Sequence, residues 1–452
     1  METESSLRQQ PSLTSPPRQA SPGGPGAQYF AAGLFVVLAA FTATVVDSSR
    51  VAPYAAGAVL FLLFAVWLAV GFQRRLYWSV PSVCLLLMAC YGVGQTIWSP
   101  YKILSEGWRV TIFWWTSAAI CLLAHQLFRD LSIARQFRLA FVYFASLVCV
   151  LDLLQQASHT DKVLWIFPSG YPFVYGTFRY SNNFCQFVEL SLPVTLWLGL
   201  RQRRTNVLML LLAALQISAV IAAASRAGTI LVIVEFLAIL LIAWFRGRSR
   251  LSLPLLGVAV ALTLGFVAAA GFDQVVKKLQ SPDQFAGRQQ INEASIDMIK
   301  AHPWTGWGLG TYVPVYPRFA RYDDGTYVNR AHNDWLEWAA EGGVFFAGLM
   351  LVVFLWSLWP AWRSVWGLGL VFVCINALVD YPFASLSVCG WYFALLGMLV
   401  GHREEKRSRH RHHRRTEDGD DEAQSFLEEE EEGQGRSQPA HSGIEPDRRF
   451  NQ

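Results

Sequence analysis

Residues 205–245 read TNVLMLLLAALQISAVIAAA, then SRAG, then TILVIVEFLAILLIAWF. Two long apolar runs are thus separated by a short polar turn. A helix needs about 20 mostly apolar residues to cross the hydrocarbon core of a bilayer. The pattern therefore predicts two consecutive membrane spans, 205–224 and 228–245, joined by a tight turn that contains Arg226.

The rest of the chain has the same apolar character. Of its 452 residues, 53% are hydrophobic and 15% are charged, and the mean hydropathy is +0.30. Soluble domains usually carry about 25% charged residues. Residues 402–452 alone hold 24 of the 70 charged side chains. This composition excludes an ordinary soluble enzyme and predicts an all-α, polytopic integral membrane protein.

Apolar windows along the chain predict about 12 transmembrane helices. We place them near 28–46, 54–72, 77–96, 109–127, 138–155, 183–200, 205–224, 228–245, 252–270, 341–359, 365–380 and 384–401.

Arginines mark every second connection between these spans. They are Arg74 and Arg75; Arg129, Arg135 and Arg138; Arg201, Arg203 and Arg204; and Arg246, Arg248 and Arg250. Because basic loops stay on the cytoplasmic side, both termini are predicted to be cytoplasmic. The other connections then face outward.

Three regions follow from this assignment. Residues 1–27 are rich in Pro, Ser and Gly and are expected to be disordered, as is the charged tail 402–452. Residues 28–401 form the membrane domain, with one large external loop at about 271–340, between spans nine and ten. Within this loop, 287–302 has the pattern of an amphipathic helix with inward-facing apolar residues, Ile296 among them, and 305–310 is a flexible, turn-rich stretch.

Polar residues collect at the predicted external face. Arg226 lies in the turn between spans seven and eight, where an unpaired guanidinium would cost a few kcal/mol, so a polar or anionic partner is expected. A lipid-facing arginine that reaches the headgroups is the simpler alternative. The other polar residues predicted on this face are Arg179, Asn182, Arg288, Arg330, His332, Asn333, Asp334 and Asp380.

This set of residue types suits one kind of chemistry. Guanidinium groups bind phosphate oxygens in pairs, so several arginines favour a phosphate or pyrophosphate ligand. A neighbouring histidine can take a proton from an attacking hydroxyl. We predict transfer from a lipid-linked pyrophosphate donor, and no nucleic acid partner. We also predict no metal site, because the arginines interleaved with the histidines of His410–Arg415 disfavour a bound cation.

Several motifs resemble the O-antigen ligase and polymerase superfamily of bacterial membrane glycosyltransferases. They are Ser225-Arg226-Ala227-Gly228, Gly287-Arg288, His302-Pro303-Trp304-Thr305-Gly306-Trp307-Gly308-Leu309-Gly310, Ala331-His332-Asn333-Asp334-Trp335-Leu336-Glu337, and Glu341-Gly342-Gly343. Gly176-Thr177-Phe178 with Asn182 is similar to an upstream family motif, and Asp380 falls where the family often has an acidic residue. The family pattern has other residues at Cys185, Asn292 and Phe346.

The resemblance implies a metal-independent, inverting glycosyltransferase without a cofactor. It also implies a bacterial inner-membrane protein whose active face is periplasmic. Its donor would be an undecaprenyl-diphosphate-linked glycan, and its acceptor a hydroxyl of lipid A core, another glycan or a protein. By this resemblance, Arg226 and Arg288 bind the donor diphosphate and His332 activates the acceptor. The supporting candidates are Arg179, Asn182, Arg330, Asn333, Asp334 and Asp380.

Four functions stay open from the sequence. The first three are O-antigen ligation, polymerisation of repeat units and protein O-glycosylation, which use the same donor. The fourth is a polysaccharide transporter or flippase, because Asp152, Glu189 and Glu235 lie within predicted spans, where carboxylates are usually functional.

Overall fold

The computed structural model describes residues 26–44, 51–70, 76–101, 103–170, 173–200, 206–245, 285–321 and 327–403. The predicted span 252–270, residues 271–284 of the predicted loop and nearly all of both predicted terminal segments lie outside these residues.

Helices dominate the described residues, as the sequence predicts. The first eight are α1 Ala27–Ala43, α2 Val51–Val70, α3 Val80–Trp98, α4 Leu104–Leu127, α5 Leu131–Ala157, α6 Ser181–Leu200, α7 Val207–Ala222 and α8 Arg226–Phe245. They are followed by α9 Phe285–Ala301, α10 Tyr312–Val315, α11 Asp334–Ser364, α12 Leu368–Asn376 and α13, residues 386–403. A small antiparallel hairpin pairs β1 Lys162–Val163 with β2 Phe167–Pro168, and short 3-10 helices occur at Tyr316–Arg318 and Pro382–Ala384.

Among the described residues, six helices are long and apolar enough to cross a membrane: α2, α3, α4, α5, α8 and α11. Two more, α1 and α7, are apolar but shorter. A polytopic membrane protein is therefore supported, but the predicted number of 12 spans is not confirmed. The clearest difference is α12, which has 9 residues where a span was predicted. At about 1.5 Å per residue it is too short to cross about 30 Å of hydrocarbon.

The last helix lies in the centre of the bundle. Trp391 of α13 is fully buried and stacks on Phe141 of α5, with ring centroids 4.5 Å apart. A side chain at Gly397 would lie 2.4 Å from the carbonyl oxygen of Cys121, so glycine lets α13 pack directly on the backbone of α4. This central position agrees with a helix that is apolar on all sides.

Helix α11 is broken near its first third. Gly343 has φ +71° and ψ −178°, so the chain leaves helical geometry there. The freed carbonyl groups are bonded elsewhere: Ala340 O accepts from Trp307 N at 2.9 Å and Glu341 O from Gly308 N at 2.8 Å. The 305–310 stretch, predicted to be flexible, is therefore bonded to the break in α11.

The predicted amphipathic helix is present as α9. Its inner face forms a small separate core in which Ala294 and Met298 are fully buried against Trp307 and Tyr312. The expectation that Ile296 faces inward is wrong, since its side chain is 41% exposed. This core fixes the segment that follows α9 against the first part of α11.

Candidate functional site

His332 and Asp380 face each other just before α11 and just after α12. The Nδ1 of His332 lies 3.7 Å from Oδ1 of Asp380, whose side chain is 2% exposed, whereas His332 is 28% exposed. Among the described residues, neither Nδ1 of His332 nor Oδ2 of Asp380 has a hydrogen-bond partner. The imidazole is thus open to a substrate on one side and faces a buried carboxylate on the other.

Two neighbours of His332 hold this arrangement together. Asn333 caps α11, because its Oδ1 accepts from Leu336 N at 3.1 Å. Asp334 accepts from Phe383 N at 2.9 Å, and its own N–H donates to Ala377 O at 2.9 Å. Asn333 therefore fixes the start of α11, and Asp334 holds the segment that carries Asp380; both side chains are buried.

Arg288 reaches the same segment from α9. Its Nη1 donates to the carbonyl oxygen of Val379 at 2.7 Å. Tyr381 follows Asp380 in the sequence, and the centroid of its ring is 5.0 Å from that of the His332 imidazole. Burial raises the pKa of Tyr381, and the neighbouring Asp380 adds to the shift, so the phenol keeps its proton. The structure thus brings Arg288, His332 and Asp380 together.

Arg226 begins α8 beside a polar contact to α6. The preceding Ser225 donates its hydroxyl to Oδ1 of Asn182 at 2.8 Å. A side chain at Gly228 would lie 2.5 Å from Cβ of Cys185, which explains why α8 needs glycine at position 228, where it packs closely on α6. Helix α8 packs on both α6 and α12, so Arg226 begins a helix that contacts the helix preceding Asp380.

Arg330 forms an ion pair within the protein, so only part of its guanidinium group is available to a ligand. Its Nη1 bonds to Oε1 of Glu337, and the second oxygen of Glu337 accepts from Ala331 N at 2.9 Å. Burial works against the charge of Arg330, but Glu337, Glu341 and Asp334 together outweigh it, so the pKa of Arg330 is raised. Glu337 therefore fixes the approach to His332, a role that the sequence analysis missed.

A cavity of about 720 Å³ opens beside these residues. Its walls are mostly apolar and come from α1, α2, α4 and the 384–387 segment, and Arg109, Arg179 and Arg330 also line it. Arg109 was not predicted; its pairing with Glu106, one helical turn away, is the only sequence signal it gives. An apolar cavity with guanidinium groups suits an amphiphile that carries an anionic group.

The carboxylates that suggested transport are deeply buried. Asp152, Glu189 and Glu235 are all fully buried. Glu189 accepts from Nδ2 of Asn376 at 2.8 and 3.1 Å, and Asp152 accepts from Gln156 at 2.8 Å. Glu189 and Asp152 are therefore already hydrogen-bonded to other side chains within the helix bundle.

His332, Asp380 and Arg288 can together activate a hydroxyl group. A carboxylate that faces one imidazole nitrogen orients the ring and stabilises its protonated form, which leaves the other nitrogen to accept a proton. Guanidinium groups nearby can hold a phosphate-containing leaving group. No group of three or more His, Cys, Asp or Glu side chains with metal-ligand geometry occurs in the described residues.

Comparisons with known proteins agree with the sequence resemblance. Residues 208–351 match the family model described as O-Antigen ligase, a segment that contains Arg226, Arg288 and His332. A General O-oligosaccharyltransferase of Acinetobacter baylyi (strain ATCC 33305 / BD413 / ADP1) is 24% identical over 390 residues, which cover 77% of this chain. The chain spans 65% of the length of that relative. The predicted resemblance to the O-antigen ligase superfamily is confirmed.

Proposed function

From this resemblance to the O-antigen ligase superfamily, we propose that the chain moves a glycan from an undecaprenyl-diphosphate donor to a hydroxyl acceptor at the external face of the bacterial inner membrane. The observation that carries the proposal is the meeting of His332, Asp380 and Arg288, which come from three separate segments. A general base, a carboxylate that supports it and a cation for the leaving group are the parts that this reaction needs.

In the proposed mechanism, His332 takes the proton of the acceptor hydroxyl. The acceptor oxygen attacks the anomeric carbon from the face opposite the diphosphate, and the bond from that carbon to the diphosphate oxygen breaks. Undecaprenyl diphosphate leaves, held by Arg226 and Arg288, and the anomeric configuration inverts. The 3.7 Å separation of His332 and Asp380 is compatible with this role, because catalytic hydrogen bonds often tighten only when substrate is bound.

Arginine-to-lysine variants test the assignment of the donor site. Lysine keeps the charge but loses the paired donors of guanidinium, so we expect Arg226→Lys and Arg288→Lys each to lower transfer roughly 10- to 100-fold. Arg321→Lys is the matched control, since Arg321 pairs with Glu293 and Asp297 on the exposed side of α9. Transfer would be measured with purified protein and a lipid-diphosphate-linked glycan. Wild-type turnover in both lysine variants would exclude the proposed role.

Analysis of the glycans and lipid-linked intermediates in a deletion strain identifies the acceptor. Loss of capped lipopolysaccharide with accumulation of long lipid-linked chains identifies a ligase, whereas accumulation of single-repeat intermediates identifies a polymerase. The second candidate is protein O-glycosylation, which the name of the Acinetobacter baylyi relative favours. In that case glycosylated protein disappears while lipopolysaccharide is unchanged.

A further inference from the structure

A second, smaller cavity of about 400 Å³ lies outside the centre formed by His332, Asp380 and Arg288. It lies between α4, the Gly310–Pro314 segment and residues 327–330. We call it the polar cavity. Its side chains include Glu106, Arg109, Tyr327, Asn329, Arg330, Glu337 and Glu341.

Both arginines that line the polar cavity are already paired with carboxylates. Arg109 pairs with Glu106, and Arg330 pairs with Glu337, so both guanidinium groups have carboxylate partners. Glu341 adds a third carboxylate, whose Oε1 accepts from Tyr312 N at 2.9 Å. Because the cavity has no excess of positive charge, binding of an anionic ligand such as a phosphate or a uronic acid is unfavourable there.

The remaining lining groups suit a polyhydroxyl ligand. Tyr327 is 80% exposed and Asn329 is also exposed, which leaves a phenol ring and an amide available at the mouth. An amide, carboxylates and guanidinium groups together offer both donors and acceptors, as sugar hydroxyls do. An aromatic face covers the apolar face of a sugar ring. The volume is at the small end of ligand sites, which span about 300–1,000 Å³, and fits a mono- or disaccharide.

The polar cavity also lies close to the proposed reaction centre. Arg330 lines it and is two residues from His332, so the two Cα atoms are at most about 7 Å apart. Arg109 and Arg330 also line the larger apolar cavity, so the two cavities adjoin. A sugar in the polar cavity would thus be near both the base and a site for a lipid chain.

We propose that the polar cavity binds an uncharged sugar unit of a glycan substrate and selects against acidic sugars. The proposal rests on the glycosyltransferase function proposed above, and it assigns the site to Glu106, Tyr327 and Asn329 in addition to the ion-paired arginines.

Direct binding to the full chain in lipid nanodiscs tests this assignment. The probes are methyl N-acetylglucosaminide, methyl glucoside and methyl glucuronide, with binding followed by saturation-transfer NMR. We expect saturable binding of the two uncharged glycosides and weaker binding of the glucuronide. Tyr327→Ala and Asn329→Ala should each weaken binding of the uncharged probes at least about fivefold, as loss of one hydrogen-bonding or stacking partner implies.

Two further variants complete the test. Trp304→Ala is the matched control, because Trp304 is an exposed aromatic residue (76%) that does not line the cavity. Glu106→Gln removes the partner of Arg109 and should shift preference toward the glucuronide. The proposal is overturned if no uncharged probe binds, if the glucuronide binds best to the wild type, or if the alanine variants bind like the control.

The result is separable from the proposed transfer reaction. His332→Ala should bind the sugar probes as the wild type does while losing transfer. Glycan transfer by a protein that does not bind the sugar probes would overturn only the proposed role of the polar cavity. Sugar binding by a wild-type protein that transfers no glycan would overturn the glycosyltransferase proposal and leave the binding site standing.

Discussion

At the scale of single residues, the proposed centre uses backbone conformations that side chains rarely adopt. His332 has φ +50°, and Ala224, just before Ser225 and Arg226, has φ +51°. Such left-handed residues cost about 1–3 kcal/mol each unless their surroundings hold them. The cap of Asn333 and the bond from Ala331 N to Glu337 hold His332. This energetic cost is consistent with a functional role for the two conformations, which set the directions of the His332 and Arg226 side chains.

Asp380→Asn should impair the proposed reaction without unfolding the protein. The amide keeps the size of the carboxylate but cannot stabilise a protonated His332, so we expect transfer to fall by roughly 10²-fold or more, up to the loss in His332→Ala, about 10²–10⁴-fold. The double variant should lose little more than His332→Ala alone, because the two residues act as a unit.

Transfer assays on the purified variants at matched protein levels check this expectation. Asp297→Asn is the control, since Asp297 pairs with Arg321 and Lys300 on the exposed side of α9. If the losses of Asp380→Asn and His332→Ala simply multiplied in the double variant, the two side chains would act independently.

At the scale of elements, the break in α11 decides where the segment after α9 meets the helix bundle. A side chain at Gly343 would lie 2.1 Å from the carbonyl oxygen of Trp304, and one at Gly306 would lie 2.3 Å from that of Glu341. Two glycines therefore allow the two backbones to cross in contact. Tyr91 of α3 adds to the junction, since its hydroxyl donates to Gly342 O at 3.1 Å.

Gly343→Ala should destabilise this junction, because it combines a left-handed φ with a backbone clash. We expect a loss of at least about 1–3 kcal/mol and a lower melting temperature in detergent. Gly348→Ala, in the same helix with open space around it, should be neutral or raise stability by up to about 1 kcal/mol.

Hydrogen exchange provides the second measurement on the two variants. Peptides covering 303–310 should exchange faster in Gly343→Ala and at the wild-type rate in Gly348→Ala. Equal melting temperatures and exchange rates in both variants would mean that the break does not depend on glycine.

At the scale of the whole molecule, α3 links two different faces. Near its first residue, Tyr77 contacts Gln126 and lies under the guanidinium of Arg129, 3.4 Å from the ring centroid. At its other end, Gln95 and Tyr91 bond to the carbonyl oxygen of Thr305 in the segment after α9. If the basic connections are cytoplasmic, as the sequence predicts, the reaction centre lies on the external face.

Cysteine labelling tests this orientation. Tyr327→Cys should react with a membrane-impermeant maleimide in intact spheroplasts, whereas Trp78→Cys should react only after lysis, since both positions are exposed and are predicted to lie on opposite faces. Cys90→Ser is the background, because Cys90 is the one exposed cysteine of the seven. Labelling of Trp78→Cys in intact spheroplasts, with Tyr327→Cys protected until lysis, would reverse the topology and the proposed external reaction.

The sequence by itself determined the apolar helices, the amphipathic α9 and the residue types of the proposed centre, because apolar periodicity and polar breaks are local properties. It predicted a full span at 365–380, where the structure has the 9-residue α12, because hydropathy does not show that Asp334 bonds the segment after Asn376 to the start of α11. Only the tertiary structure paired His332 with Asp380, brought Arg288 to Val379 and formed the polar cavity from Glu106, Asn329 and Glu341. These contacts join residues far apart in the chain, and packing between helices, which no local pattern encodes, sets their distances.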